Sequence, residues 1–211
     1  SIGNEMAGMA MMAFSLQRYA HHVDAVAVLP GLGERWRLDD ATAAYDNTPK
    51  ARNLLVAGIN DSELTFEQPT PELLRGVYGM RRTDGVIIQD GAANTPGQTE
   101  WLVDTVQKEG IESMALYVSP YHLLRGTLTL MKSFIKRDTV VPIIPLPVNI
   151  APSIIIPEMD AKGTPTDAWG MLPAETQRIT NYQAGGDVAT AQEFKAYINE
   201  MWLQPPINAE K

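Results

Sequence analysis

The sequence predicts an α/β protein with a doubly wound, Rossmann-like, mainly parallel sheet of about five strands and helices at its C-terminal end. Three observations predict it. Short apolar runs alternate with stretches of helical periodicity from about residue 25 to residue 146. The runs are apolar on both faces, as strands covered by helices on either side must be. A helical stretch separates each run from the next, which implies parallel strands joined by right-handed crossovers.

The elements follow in order. A first helix is expected over 5–20, where Met9, Ala13 and Leu16 fall on one face. The first strand covers Ala25 to Leu29 and is closed by Pro30 and Gly31. The same logic gives helices over 34–45, 71–80, 96–109 and 120–135, and strands over 54–57, 86–88, 114–118 and 141–146. Thr70-Pro71, Thr95-Pro96 and Ser119-Pro120 each set a capping hydroxyl before a proline, and Thr95 with Gln98 forms a capping box. Prolines 147, 152, 157, 165 and 173 mark an irregular excursion, after which helices are expected over 173–182 and 189–202, split by Gly185-Gly186. One domain spans 1–211, with its core at about 24–147 and an extension over 148–211.

Composition narrows the function. The 211 residues include no cysteine, which removes disulfides, zinc ribbons, iron–sulfur ligation and a cysteine nucleophile. Lys and Arg number 17 against 25 Asp and Glu, a net charge of −8, so nucleic acid is not an expected partner. No apolar stretch reaches the length of a membrane span, and the chain is expected to be soluble and cytoplasmic, with envelope association if a leader or anchor once preceded Ser1. His21, His22 and His122 are not arranged as a site, so no metal is expected.

Open parallel sheets bind ligands beyond the carboxyl ends of their strands, which singles out the loops that follow each strand. These hold Gly31, Gly33, Glu34 and Arg35, then Gly58, Asn60, Asp61, Ser62 and Glu63, then Asp90, Gly91, Asn94 and Thr95, then Ser119, Tyr121, His122 and Arg125. Glycines and a helix N-terminus let Gly31 and Gly33 hold a phosphate or carboxylate, although an ordinary strand-to-helix turn reads the same. His122 and Arg125, three apart, make either an anion-handling pair with a proton carrier or a cap and a surface arginine. Glu34 and His122 are the candidate acid and base. The aromatic rings of Trp101, Trp169 and Trp202 read as packing anchors. There is no GxxxxGK[ST], HExxH or GxSxG motif, and the dinucleotide fingerprint is incomplete because Trp36 stands where its last glycine belongs.

Four segments, Asp24-Ala-Val-Ala-Val-Leu-Pro-Gly-Leu-Gly-Glu-Arg, Leu55-Val-Ala-Gly, Gln89-Asp-Gly-Ala-Ala-Asn-Thr and Tyr117-Val-Ser-Pro-Tyr-His-Leu-Leu-Arg, resemble the successive motifs of the YdcF/SanA-like family, the domain of unknown function 218. The resemblance covers about residues 24–147. It implies a Rossmann-type pocket in which Gly31, Gly33, Glu34 and Arg35 form the first loop, Gly58 part of a Ser-Gly-Gly, Glu72 an acidic helix opening, Asn94 and Thr95 an Asn-Thr stretch, and Ser119, His122 and Arg125 a Ser-x-x-His-x-x-Arg stretch. Ala57-Gly58-Ile59 and Gln98 depart from the family pattern.

The resemblance also implies nucleotide-like ligands, with S-adenosylmethionine a candidate, and for some members membrane anchoring and a part in envelope or peptidoglycan maintenance. The expectation is a small-molecule enzyme that binds a nucleotide-like or other anionic ligand at the carboxyl edge of the sheet, using Arg125 and loop N–H groups. The alternative is a non-catalytic ligand-binding or envelope-maintenance module.

Overall fold

The structure is a computed structural model that describes residues 2–31, 33–61, 67–157 and 165–210. Its centre is a five-stranded, all-parallel sheet of β1 (Ala25–Val28), β2 (Asn53–Val56), β3 (Val86–Ile88), β4 (Met114–Val118) and β5 (Ile143–Pro147), in the order β3-β2-β1-β4-β5. Each strand lies within three residues of its predicted position. Val26 stands opposite Leu54 on one side and Ala115 on the other, so β1 is paired along both edges.

The pleat sends alternate residues of β1 to opposite faces, and two apolar clusters result. Val26 and Val28 join Leu38, Ala41 and Tyr45 of α2 (Arg35–Asn47) and Leu74 of α3 (Pro71–Gly76). Ala25, Ala27 and Leu29 face the other way. They pack with α1 (Ile2–Leu16), α4 (Thr95–Glu109), α5 (Leu123–Lys136), α6 (Ala168–Gly185) and α7 (Ala191–Met201) through Leu16, Val103, Leu128, Ile179 and Tyr197. Helices thus cover both faces, which is why no strand can carry a polar side.

Local chemistry sets the helix ends. Thr70 accepts from the Leu73 N–H at 3.1 Å and Thr190 forms a capping box with Glu193, whereas Gly110 ends α4 in the left-handed region at φ 61°. The expected capping box at Thr95 is replaced. Asn94 is the cap and takes the Gly97 N–H at 2.9 Å, while Thr95 becomes the first helical residue. Gln98 is thereby released to donate from Nε2 to the carbonyls of Pro30 at 3.1 Å and Gly58 at 2.6 Å, so it holds two loops together. Ser119 likewise precedes a short 3-10 turn, Pro120–His122, without capping it.

Helix α6 begins five residues before the proline expected to open it. Asp167 caps it through the Gly170 N–H at 2.8 Å, and Pro173 lies inside the helix. Helix α3 is shorter than expected and ends at Gly76. Trp101 and Trp202 pack on the core as expected, but Trp169 is 64% exposed and is no anchor. No described helix is long and apolar enough to cross a membrane.

Candidate functional site

The strand order reverses between β1 and β4, so the loops after these two strands diverge and leave a crevice. A buried polar knot ties its walls together. Glu34, 3% exposed, caps the start of α2 and sends its carboxylate across to the loop after β4. Oε1 accepts from the Ser119 hydroxyl at 2.5 Å and the Trp36 indole at 3.1 Å, and Oε2 accepts from the Tyr121 hydroxyl at 2.6 Å. Arg37, one turn on and 1% exposed, pairs with the same Oε2 and donates to Leu29 O at 2.8 Å, Ser119 Oγ at 2.9 Å and Tyr121 Oη at 3.1 Å. Burial pushes the Tyr121 phenol up, so it stays protonated as the donor Glu34 needs.

The knot also fixes a histidine. Arg37 Nη1 lies 3.3 Å from His122 Nδ1. A guanidinium can only donate, so Nδ1 is the acceptor and the ring proton sits on Nε2. His122 is 5% exposed, and its Nε2 has no hydrogen-bond partner among the described residues. Burial first, and then the positive fields of Arg125, Arg37 and Arg178, hold this imidazole well below its usual range and keep it neutral.

His122 forms part of the wall of a cavity of about 340 Å³, within the range for small-molecule sites. Pro30, Gly31, Asn60, Asn94, Thr95, Gln98, Tyr121, Arg37, Arg125, Arg178 and Tyr182 complete the lining. Arg125 is braced by Glu175 of α6, with Nε to Oε2 at 2.6 Å and Nη2 to Oε1 at 3.1 Å, while Nη1 reaches Thr95 Oγ1 at 3.0 Å. Arg178, one turn after Glu175, donates to the same carboxylate at 2.5 Å. Three guanidinium groups thus meet two carboxylates, Glu34 and Glu175, and one positive charge is left over among the described residues. Neither carboxylate belongs to the described lining of this cavity.

Two neighbouring hollows take other predicted residues. Gly33, Glu34 and Arg35 line one of about 410 Å³ with Leu38, Ile59 and Tyr78, where exposed Arg35 pairs with Glu67 at 3.0 Å. Burial pushes the Tyr78 phenol up to about 12. Asp61 and Asp90 line a third, of about 470 Å³, with Asn60 on its border with the cavity beside His122. Gly31 is shared by the first two, and its φ of 147° suits only glycine.

Gly58 and Ser119 line none of these hollows. The Gly58 N–H donates to Gln89 Oε1 at 3.0 Å, and Ser119, fully buried, serves the knot. Glu72 sits on the exposed first turn of α3 and pairs with Arg75 at 3.3 Å. Ser62 and Glu63 lie outside the described residues.

Sequence reasoning missed Arg37, Glu175, Arg178 and Tyr182. Glu34/Arg37 and Glu175/Arg178 both carry the i,i+3 spacing of a helical ion pair, which was a readable signal, but spacing does not distinguish a buried pair from a solvated one. Among known proteins, no family model matches this chain and no curated protein matches it.

Proposed function

We propose that the chain is a small-molecule enzyme of the YdcF/SanA-like kind that binds a phosphate-bearing, nucleotide-like ligand in the cavity beside His122. One observation carries this reading: a buried, neutral histidine with an unused Nε2–H shares a cavity wall with Arg125 and Arg178. A buried donor without a partner costs about 1–3 kcal/mol, and an oxyanion between these groups would supply the missing acceptor. The α4 N-terminus at Asn94 and Thr95, where Thr95 Oγ1 meets Arg125, adds its partial positive charge to the same cavity. S-Adenosylmethionine fits less well, because its sulfonium would face guanidinium groups. In turnover, His122 would stabilise negative charge developing on an oxygen of the substrate, and Glu34 would hold Arg37 and Tyr121 in place.

A second reading is a ligand-binding or envelope-maintenance module without catalysis. It is favoured by the lining itself, which contains no carboxylate among its described residues to act as a base. A thermal-shift series with nucleotides, sugar phosphates and S-adenosylmethionine tests both. A phosphate-bearing compound at 100 times its dissociation constant should add about 2.7 kcal/mol of stability. No shift from any oxyanion would overturn the cavity assignment. Phosphorus NMR of the bound compound then separates an enzyme, which alters it, from a module, which returns it intact.

A further inference from the structure

We infer that the cavity selects fully deprotonated oxyanions, because Arg37 locks His122 as an Nε2–H donor and every charged group of the described lining can only donate. This inference rests on the anion reading above and adds to it a rule for which anions enter. Arg37, Arg125 and Arg178 have donors and no acceptors, and His122 with its Nδ1 engaged has the same character. The monoanion of a phosphate monoester brings an O–H that needs an acceptor. The nearest carboxylates are committed elsewhere: Glu175 to Arg125 and Arg178, Glu34 to Arg37, Ser119, Tyr121 and Trp36. A phosphate monoester dianion or a sulfate asks only for donors and meets one in each charged group of the described lining, whereas the O–H of a monoanion finds only uncharged acceptors there.

The groups surrounding His122 support a donor that does not titrate. Arg37 on α2 and Arg125 on α5 are positive, and α6 contributes Arg178 together with Glu175 and the phenol of Tyr182. The phenol of Tyr121, next in sequence, is committed to Glu34. Helix α4 presents only the uncharged Asn94, Thr95 and Gln98 to this cavity. A proton added to Nδ1 would stand against the Arg37 guanidinium, and one positive charge would face another at hydrogen-bond distance. Arg37 is therefore a positioning residue. It touches the cavity wall, and its effect on the ligand is to hold the ring of His122 in one tautomer.

The test uses the intact protein, with inorganic sulfate and methyl phosphate as probes from about pH 5 to about pH 8, the interval in which an ordinary histidine titrates. Sulfate keeps its charge throughout, and its dissociation constant should change by less than about twofold. Methyl phosphate loses its second proton, and with it its last O–H, in this interval, and its affinity should rise with pH by up to about tenfold per unit below that pKa. A nitrogen–proton correlation spectrum should show Nδ1 of His122 unprotonated and Nε2 protonated throughout.

Sulfate binding that weakens as pH rises through about 6.5 would mean an imidazolium holds the anion, and would overturn the inference while leaving the anion reading intact. Equal affinity for both phosphate forms would overturn it as well. If neither anion binds at millimolar concentration, the anion reading falls and this inference with it. Arg37→Lys, if folded by circular dichroism, should make the His122 spectrum a tautomer mixture and should introduce a pH dependence into sulfate binding. An unchanged spectrum and a flat sulfate profile in that variant would remove Arg37 from the positioning role.

Discussion

Arg125 turns its fork toward Glu175: Nε and Nη2 meet the two carboxylate oxygens at 2.6 and 3.1 Å, with both side chains nearly buried. An arginine so held reaches a ligand with only its remaining N–H groups, and it anchors α6 to α5 besides. Arg125→Ala is therefore expected to cost about 2–4 kcal/mol of stability, below the full penalty for a stranded buried charge because Arg178 still pairs with Glu175. Urea denaturation of Arg125→Ala, Glu175→Ala and the double variant checks it. The double variant should lose less than the sum of the two single ones, and strict additivity would show that the pair is not coupled.

His122 makes stability depend on acid. Its folded pKa lies well below that of the unfolded chain, so between the two values the unfolded state binds the extra proton, and stability falls as pH drops below about 6.5. Above that pH the contribution is constant. Below that pH the loss from this group should grow by up to about 1.4 kcal/mol per unit until the lowered folded pKa is reached. The comparison of wild type with His122→Gln at pH 7 and pH 5 isolates it, since glutamine does not titrate. A wild type that loses no more than the variant would return His122 to an ordinary solvated pKa.

A Cβ added to Gly58 would stand 2.4 Å from the carbonyl carbon of Gly91, against backbone that cannot rotate away. Gly58→Ala should separate the loops after β2 and β3, lower stability by about 1–3 kcal/mol and weaken ligand binding through displaced Asn60 and Gln98. Thermal melting and a ligand titration together measure it. Melting unchanged within error would mean the two loops can part freely.

The hydroxyl of Thr127 is fully buried on α5 without a hydrogen-bond partner among the described residues. Valine has the same shape and no polar atom. Thr127→Val should stabilise the protein by about 1 kcal/mol, read as a higher urea midpoint with an unchanged slope. Destabilisation instead would reveal a bonded hydroxyl.

The sheet was legible because β1, β2, β4 and β5 are apolar on both faces and short, a pattern that only a covered parallel strand makes economical. The carboxyl-edge rule then brought Gly31, Asn60, Asn94, Thr95, Tyr121, His122 and Arg125 to one cavity. The rest depends on tertiary partners. Pro173 reads as a helix start because its ring suits a first turn, yet Asp167 caps the helix earlier and the proline is carried inside. Asn94 and Thr95 both qualify as caps by residue type, and only the backbone decides between them. Arg37 looks like any charged residue on a helix. Its burial follows from Ser119 and Tyr121 arriving from the loop after β4 to meet the Glu34 pair, which no local pattern records.

The strand order has a consequence for biosynthesis. β1 is the middle of the sheet and the first of its five strands to be made, but its second edge is covered by β4, which begins only at Met114. Until then an apolar strand presents an open edge, the feature that invites pairing with other chains. The cavity waits longer still, because Arg178 and Tyr182 on α6 are among the last residues of its wall to be made. Nascent chains halted before β4 should be captured by holding chaperones and cut readily by protease. Those extended past α7 should resist cutting and be the first able to retain an anion.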